Sequence, residues 1–93
     1  MVSIKIAKQS KPLPKVTEGD KISVNGKEMV VDKQYLFMDH GNTKEMIIEF
    51  FNPENSREYQ LRYFDDQIES SIEIYELQEE FQYVKREPKD VSW

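Results

Sequence analysis

The chain reads as mainly β: a small barrel, or a strongly bent antiparallel sheet, of five to six strands. Three observations predict this. Apolar and polar residues alternate with period two in several short runs. Turn formers bound those runs at intervals of roughly 12 residues. No stretch carries an apolar stripe confined to one side of a helix.

The elements follow in order. Val2, Ile4 and Ile6 alternate with Ser3 and Lys5, which suits a short edge strand. Pro12 and Pro14 among lysines then favour an extended segment. Glu18-Gly19-Asp20 is a turn that opens the body, and Ile22 and Val24 flank Ser23. Asn25-Gly26 is a strong hairpin signal, because a type I′ turn needs positive φ at both central residues. In the next run Met29, Val31, Tyr35 and Phe37 share one parity, with Lys33 as the exception. Gly41-Asn42 ends it. Met46, Ile48 and Phe50 alternate with Glu45, Ile47 and Glu49, and after the loop 52–56 Tyr59, Leu61 and Tyr63 alternate with Glu58, Gln60 and Arg62.

Segment 66–87 is ambiguous. It lacks Gly and Pro and is rich in Glu and Gln, which favours a helix on propensity. Wound as a helix it would be apolar on two opposite sides, too much for a small domain to cover. Strands fit better, with one bulge near Ile74 and Tyr75 joining two runs onto one face. The alternative fold is α+β with a C-terminal helix over 66–87. Length divides the 93 residues into a basic extended segment 1–16, a barrel domain 17–87 of SH3-like size, and a tail 88–93.

Charge is uneven. The net charge is −5, yet four of the thirteen bases and none of the eighteen acids fall in 1–16. That segment carries +4, through Lys5, Lys8, Lys11 and Lys15, and the rest −9. From 65 to 80 there are seven acids and no base. An acidic body disfavours duplex nucleic acid; single strands could still meet the basic tail. A base-free run is either a solvated surface or a patch for a basic partner, with Glu69, Glu73 and Glu76 as its members.

Catalytic groups are scarce. There is no cysteine and one histidine, His40, in a turn beside Asp39. No nucleophile motif accompanies it, no second histidine completes a metal site, and no glycine-rich loop could cradle phosphate. Asp65-Asp66 suits a turn or an N-cap, with Glu69 completing a capping box if 66–87 is helical. The expectation is a protein without enzymatic activity, cofactor or metal. No apolar run is long enough to span a membrane and no signal-peptide core leads the chain, so a cytoplasmic protein is expected.

The adjacent aromatics Phe50/Phe51 and Tyr63/Phe64 point to opposite faces of their strands, so some rings must lie outside the main core. Exposed rings beside acids can cage a cationic group. Residues 37–46, Phe37-Met-Asp-His-Gly-Asn-Thr-Lys-Glu-Met, resemble the Tudor signature, in which an aromatic is followed by Asp-aromatic-Gly-Asn and then a Glu and an apolar residue. The resemblance implies an SH3-like barrel with Phe37, Asp39 and Asn42 near an aromatic cage for methylated Arg or Lys. It departs from the pattern at His40, which replaces an aromatic, and at the inserted Lys44.

The expected function is a small protein-binding module that uses an acidic and aromatic face. Its candidate residues are Phe37, Asp39, His40, Asn42, Tyr63, Glu69, Glu73, Glu76 and the terminal Trp93. Two other readings stand beside it: a nucleic-acid-associated barrel using the basic tail and sheet aromatics, and an acidic mimic of nucleic acid that blocks a basic protein. Open strand edges also suggest a homodimer.

Overall fold

The computed structural model describes residues 4–79 and 81–93. Val2, counted in the first alternation, and Glu80, in the acidic run, lie outside the described residues. The fold is mainly β, a single eight-stranded sheet curled into a half-barrel. Its strands are β1 (Lys5–Lys8), β2 (Lys21–Val24), β3 (Lys27–Asp39), β4 (Lys44–Phe51), β5 (Glu58–Phe64), β6 (Glu73–Glu79), β7 (Gln82–Arg86) and β8 (Asp90–Ser92). A single 3₁₀ turn (Leu13–Lys15) and a one-turn helix α1 (Ile68–Ser71) complete it.

The expected five to six strands are too few. The order across the sheet is β1-β8-β2-β3-β4-β5-β6-β7. From β2 to β7 it is an antiparallel meander. The additional strands are the two chain ends, where β8 lies between β2 and a parallel β1. The three-residue β8 is too short for periodicity to mark, whereas the alternation of Ile4 and Ile6 did mark β1 as an edge strand. The helix over 66–87 is not formed. Only α1 is helical there, and 73–86 is a hairpin. Its two apolar sides have separate destinations: Ile72 and Ile74 enter the core, while Tyr75 and Leu77 lie on the other face. The register through Ile74 and Tyr75 is continuous, so no bulge joins them; the irregularity comes later, between Leu77 and Glu79. The capping box is not formed either. Gln67 is the N-cap, and Asp66 instead accepts a hydrogen bond from the Thr43 hydroxyl.

Two local rules hold as chemistry requires. Asn25 and Gly26 have φ of 52° and 81°, and Val24 pairs directly with Lys27 across the two-residue turn. In β4 and β5, Ile48, Phe50, Leu61 and Tyr63 face the inner side and are almost wholly buried. The parity of β3 switches midway. Val31 pairs with Phe50 but Lys33 pairs with Glu49, so Asp32 is an extra residue. This bulge turns Lys33 and Tyr35 to the outer face, while Met29 and Val31 stay inside. Lys33 is therefore no exception to its strand; the pattern itself reverses there.

The chain ends close the curl. Leu13, Val16 and Trp93 are buried in the same core as Ile22 and Val91. Trp93 donates its backbone N–H to Lys8 O (3.1 Å) and its indole Nε1–H to Lys11 O (2.8 Å). Gln34 donates to Leu13 O and Val16 O and accepts from the Tyr63 hydroxyl, tying the 3₁₀ turn to the centre of the sheet. The segments 1–16 and 88–93 thus belong to the sheet and core along their described length. Trp93→Ala should cost about 3–5 kcal/mol of stability, read from urea unfolding. The native emission of this sole tryptophan should be blue-shifted relative to the unfolded chain.

Candidate functional site

The outer face of the sheet carries a second cluster. On β5 the residues that alternate with Tyr59, Leu61 and Tyr63 are Gln60 and Arg62, and register aligns them with Glu49 and Ile47 of β4 and with Tyr75 and Glu73 of β6. Arg62 lies among rings. Its Cζ is 4.1 Å from the Tyr75 centroid, 5.7 Å from Phe37 and 6.0 Å from Tyr83. Its Nε and Nη2 donate to Gln60 Oε1 at 3.1 and 2.8 Å. Gln60 in turn donates to Glu49 Oε2 (3.0 Å), which also accepts from the Tyr35 hydroxyl (3.1 Å). Lys33 reaches the other oxygen of Glu49 at 3.5 Å, and Lys85 pairs with Glu73 at 2.9 Å.

The cluster sets three cations against two carboxylates. Each of the two lysines on this face has a carboxylate partner, and the arginine is held by ring faces and an amide oxygen. Stacking of this kind stabilises by about 0.5–2 kcal/mol per cation, more as water is excluded. Burial, followed by the nearby Glu49 charge, pushes the Tyr35 phenol up to about 12. Burial also raises Tyr75 and Tyr83, with Glu73 and Glu49 adding to it respectively.

At one end this face runs out into Phe37 and Met38 on β3, beside Leu36, which pairs with the core-packed Met46 on the inner side. Leu36, Phe37 and Met38 are 48%, 48% and 49% exposed. A second register shift falls between Leu36 and Met38, leaving Phe37 as the extra residue. The turn beyond it is polar. Asp39 Oδ1 accepts from Gly41 N–H (2.8 Å), and Asp65 Oδ1 accepts from Lys44 N–H (3.0 Å). His40 Nε2 lies 3.6 Å from Glu45 Oε1, and its ring is 5.8 Å from Phe64.

The candidate residues therefore divide. Phe37 belongs to the aromatic cluster. Asp39, His40 and Asn42 lie in the adjoining turn and are exposed, and neither hydrogen bonds nor ring contacts tie Asp39 or Asn42 to the cluster. Tyr63 is 1% exposed and belongs to the core, so it is no surface contact. Trp93 is likewise buried. The acids of 65–79 do not share a surface: Glu69 is exposed on α1, Glu73 is on the outer face, and Glu76 is buried on the inner side. Lys5 and Lys8 are exposed on β1 and Lys15 on the 3₁₀ turn, whereas Lys11 Nζ is bound to Asp20 at 2.9 Å. Sequence reasoning missed Arg62, Gln60, Glu49 and Ile47, which is buried beneath the outer cluster. The available signal was the polar half of the β5 alternation, opposite Tyr59, Leu61 and Tyr63.

On the inner side a cleft of about 370 Å³ lies between the β2–β3 hairpin and β5–β7, with Met29, Tyr59, Ile74 and Glu76 among its lining. Glu76 is the charged member of that wall that is buried. Its oxygens accept from Arg57 Nη1 (2.9 Å), Arg86 Nε (3.0 Å) and Gln78 Nε2 (2.8 Å). Burial pushes its pKa up, but the two guanidinium groups outweigh burial and hold it below the ordinary 4.5. Among the described residues no three His, Cys, Asp or Glu side chains are placed to hold a metal ion, and no helix is long and apolar enough to cross a membrane. No family model, curated protein or solved structure matches the chain.

A carboxyl whose pKa is depressed by folding stabilises the fold above its unfolded value, and the contribution is lost as pH falls through the folded one. Glu76→Gln should therefore lower the urea midpoint at pH 7, and the gap to wild type should close below pH 4.5. Two pH profiles that stay parallel to pH 3 would show that the ion cluster does not govern acid stability.

Proposed function

We propose that this protein is a non-enzymatic interaction module that docks another protein through the outer face of its sheet. The carrying observation is the outward strip Phe37-Met38, half-exposed on two consecutive residues of β3 and continuous with the Arg62 cluster. Large side chains left at that exposure on a strand, beside rings already fixed by stacking, form a rigid apolar platform. Ordering such a platform on binding loses little side-chain entropy. Asp39, Asp65 and Asp66 border it, which favours a partner with basic groups around an apolar centre. Within this reading the half-barrel is an SH3-like variant whose chain ends add strands.

The aromatic cluster supports a docking surface better than a cage for a methylated ligand, because Arg62 supplies its own cation to the rings. Single-stranded nucleic acid is the second reading. The exposed Lys5, Lys8 and Lys15 favour it. The outer aromatics do not add to it, since the lysines beside them are paired with Glu49 and Glu73. Deleting 1–16 would remove Leu13 and Val16 from the core, so that reading is tested by substituting the three lysines.

Phe37→Asp with Met38→Asp should abolish capture of the partner from cell extract while leaving the circular dichroism spectrum and urea midpoint near wild type. Lys5, Lys8 and Lys15→Glu should leave capture intact. Equal capture by wild type and the Phe37/Met38 variant refutes docking through this strip. Loss of capture with the lysine variant, together with binding of single strands that weakens steeply with salt, supports the second reading.

A further inference from the structure

An open sheet has two edges, here β1 and β7. They are not equivalent. β1 is four residues long and is bounded by exposed Lys5 and Lys8, a pattern that repels a second strand. β7 is five residues long, and its bases are already committed: Lys85 to Glu73 and Arg86 to Glu76, each at 2.9 Å. Among the described residues, no backbone hydrogen bond of Gln82–Arg86 reaches beyond β6. Alternate residues of such a strand direct N–H and C=O outward, ready to pair.

β7 is also self-complementary. In an antiparallel pair about a two-fold axis at Val84, Tyr83 lies across from the partner's Lys85, and Gln82 from the partner's Arg86. Each contact occurs twice by symmetry. Tyr83 and Lys85 are both on the outer face, so the contact sets an ammonium beside a ring. A two-fold at Lys85 would oppose two lysines. A two-fold at Tyr83 would match only three strand residues with strand residues.

A separate observation fits the same register. Phe81, at the β6–β7 turn, is 94% exposed with φ of 59°, a backbone region that ring-bearing L residues seldom adopt. Among the described residues nothing covers this ring. The register about Val84 sets Phe81 across from the partner's Glu87, next to Pro88. One pairing thus takes up the exposed edge and brings the exposed ring to the seam.

The geometry points to a second copy of this chain as the occupant of the β7 edge, paired antiparallel about Val84 so that one sheet runs through both molecules. The outer aromatic strip, which ends at Tyr83 in one chain, then continues across the axis. This pairing does not depend on what docks at Phe37 and Met38.

The test uses the absence of native cysteine. Across antiparallel strands facing Cα atoms are about 4.5–5.5 Å apart, within the reach of a disulfide. Val84→Cys should oxidise rapidly to a covalent dimer, and Ser70→Cys on α1 should not. Wild type should sediment as a dimer at about 0.1 mM, roughly a hundredfold above a micromolar Kd. Tyr83→Lys, which opposes two like charges at each symmetric pair, should weaken the dimer by about tenfold or more. Adding Lys85→Glu should restore it, which a folding defect would not allow. A single-chain mass for wild type at that concentration overturns the proposal, as does equal cross-linking of the two cysteine variants.

Discussion

The arrangement depends on how its last residues are held. A single sheet with one apolar face must curl until that face meets itself, and a sheet interrupted near its edge cannot do so. Here β8, three residues long, lies between β1 and β2. Trp93 follows it into the core and is fastened by its own N–H to Lys8 and by its indole to Lys11. Those bonds bring the Leu13–Lys15 turn over the open side, where Gln34 receives it. Without that closure, Ile22, Leu61 and Ile74 would line an open trough. The ends of the chain, its least structured parts by composition, complete the core.

Closure on one face leaves a different problem on the other. The outer face cannot be covered by a second layer in so short a chain, yet it contains Tyr35, Ile47, Tyr75 and Tyr83. The molecule resolves this with Arg62. A planar cation with weak hydration can lie among ring faces while its N–H groups reach an amide oxygen, which an ammonium could not do as well. Gln60 and Glu49 extend the network, and Ile47 is buried beneath it at 1% exposure. The result is a stiff surface in which Lys33 and Lys85 are paired with carboxylates and Arg62 is held by rings and an amide. Its apolar remainder lies at the end of β3, where the sheet outruns its core.

The acids also divide according to where strands send them. Glu73, Glu76 and Glu69 are close in sequence, yet they serve an outer ion pair, a buried cluster and an exposed helical turn respectively. Two acids of the base-free run, Glu73 and Glu76, are neutralised in space by Lys85 and Arg86 from β7 and by Arg57, which immediately precedes β5. Runs of like charge therefore say little about surface potential in a sheet, whose neighbours lie far apart in sequence.

What the chain determined by itself is local. Period-two alternation marked β4 and β5 and their buried residues, because side-chain direction along a strand follows from the backbone alone. Asn25-Gly26 specified its hairpin, because few residues tolerate positive φ. The absence of cysteine and the single histidine bounded the chemistry by composition. Tertiary structure decided what depends on partners. The bulge at Asp32 reversed the parity of β3, and nothing in β3 announces it; it follows from the register with β4. The strands at 5–8 and 90–92 exist because each has a neighbour. Tyr63 and Trp93 could be counted as surface candidates only while the curl of the sheet was unknown. Arg62 read as an ordinary outward charge until cross-strand register set Phe37, Tyr75 and Tyr83 around it. Alternation settles which side of a strand a residue faces. Only closure of the sheet settles which side is inside.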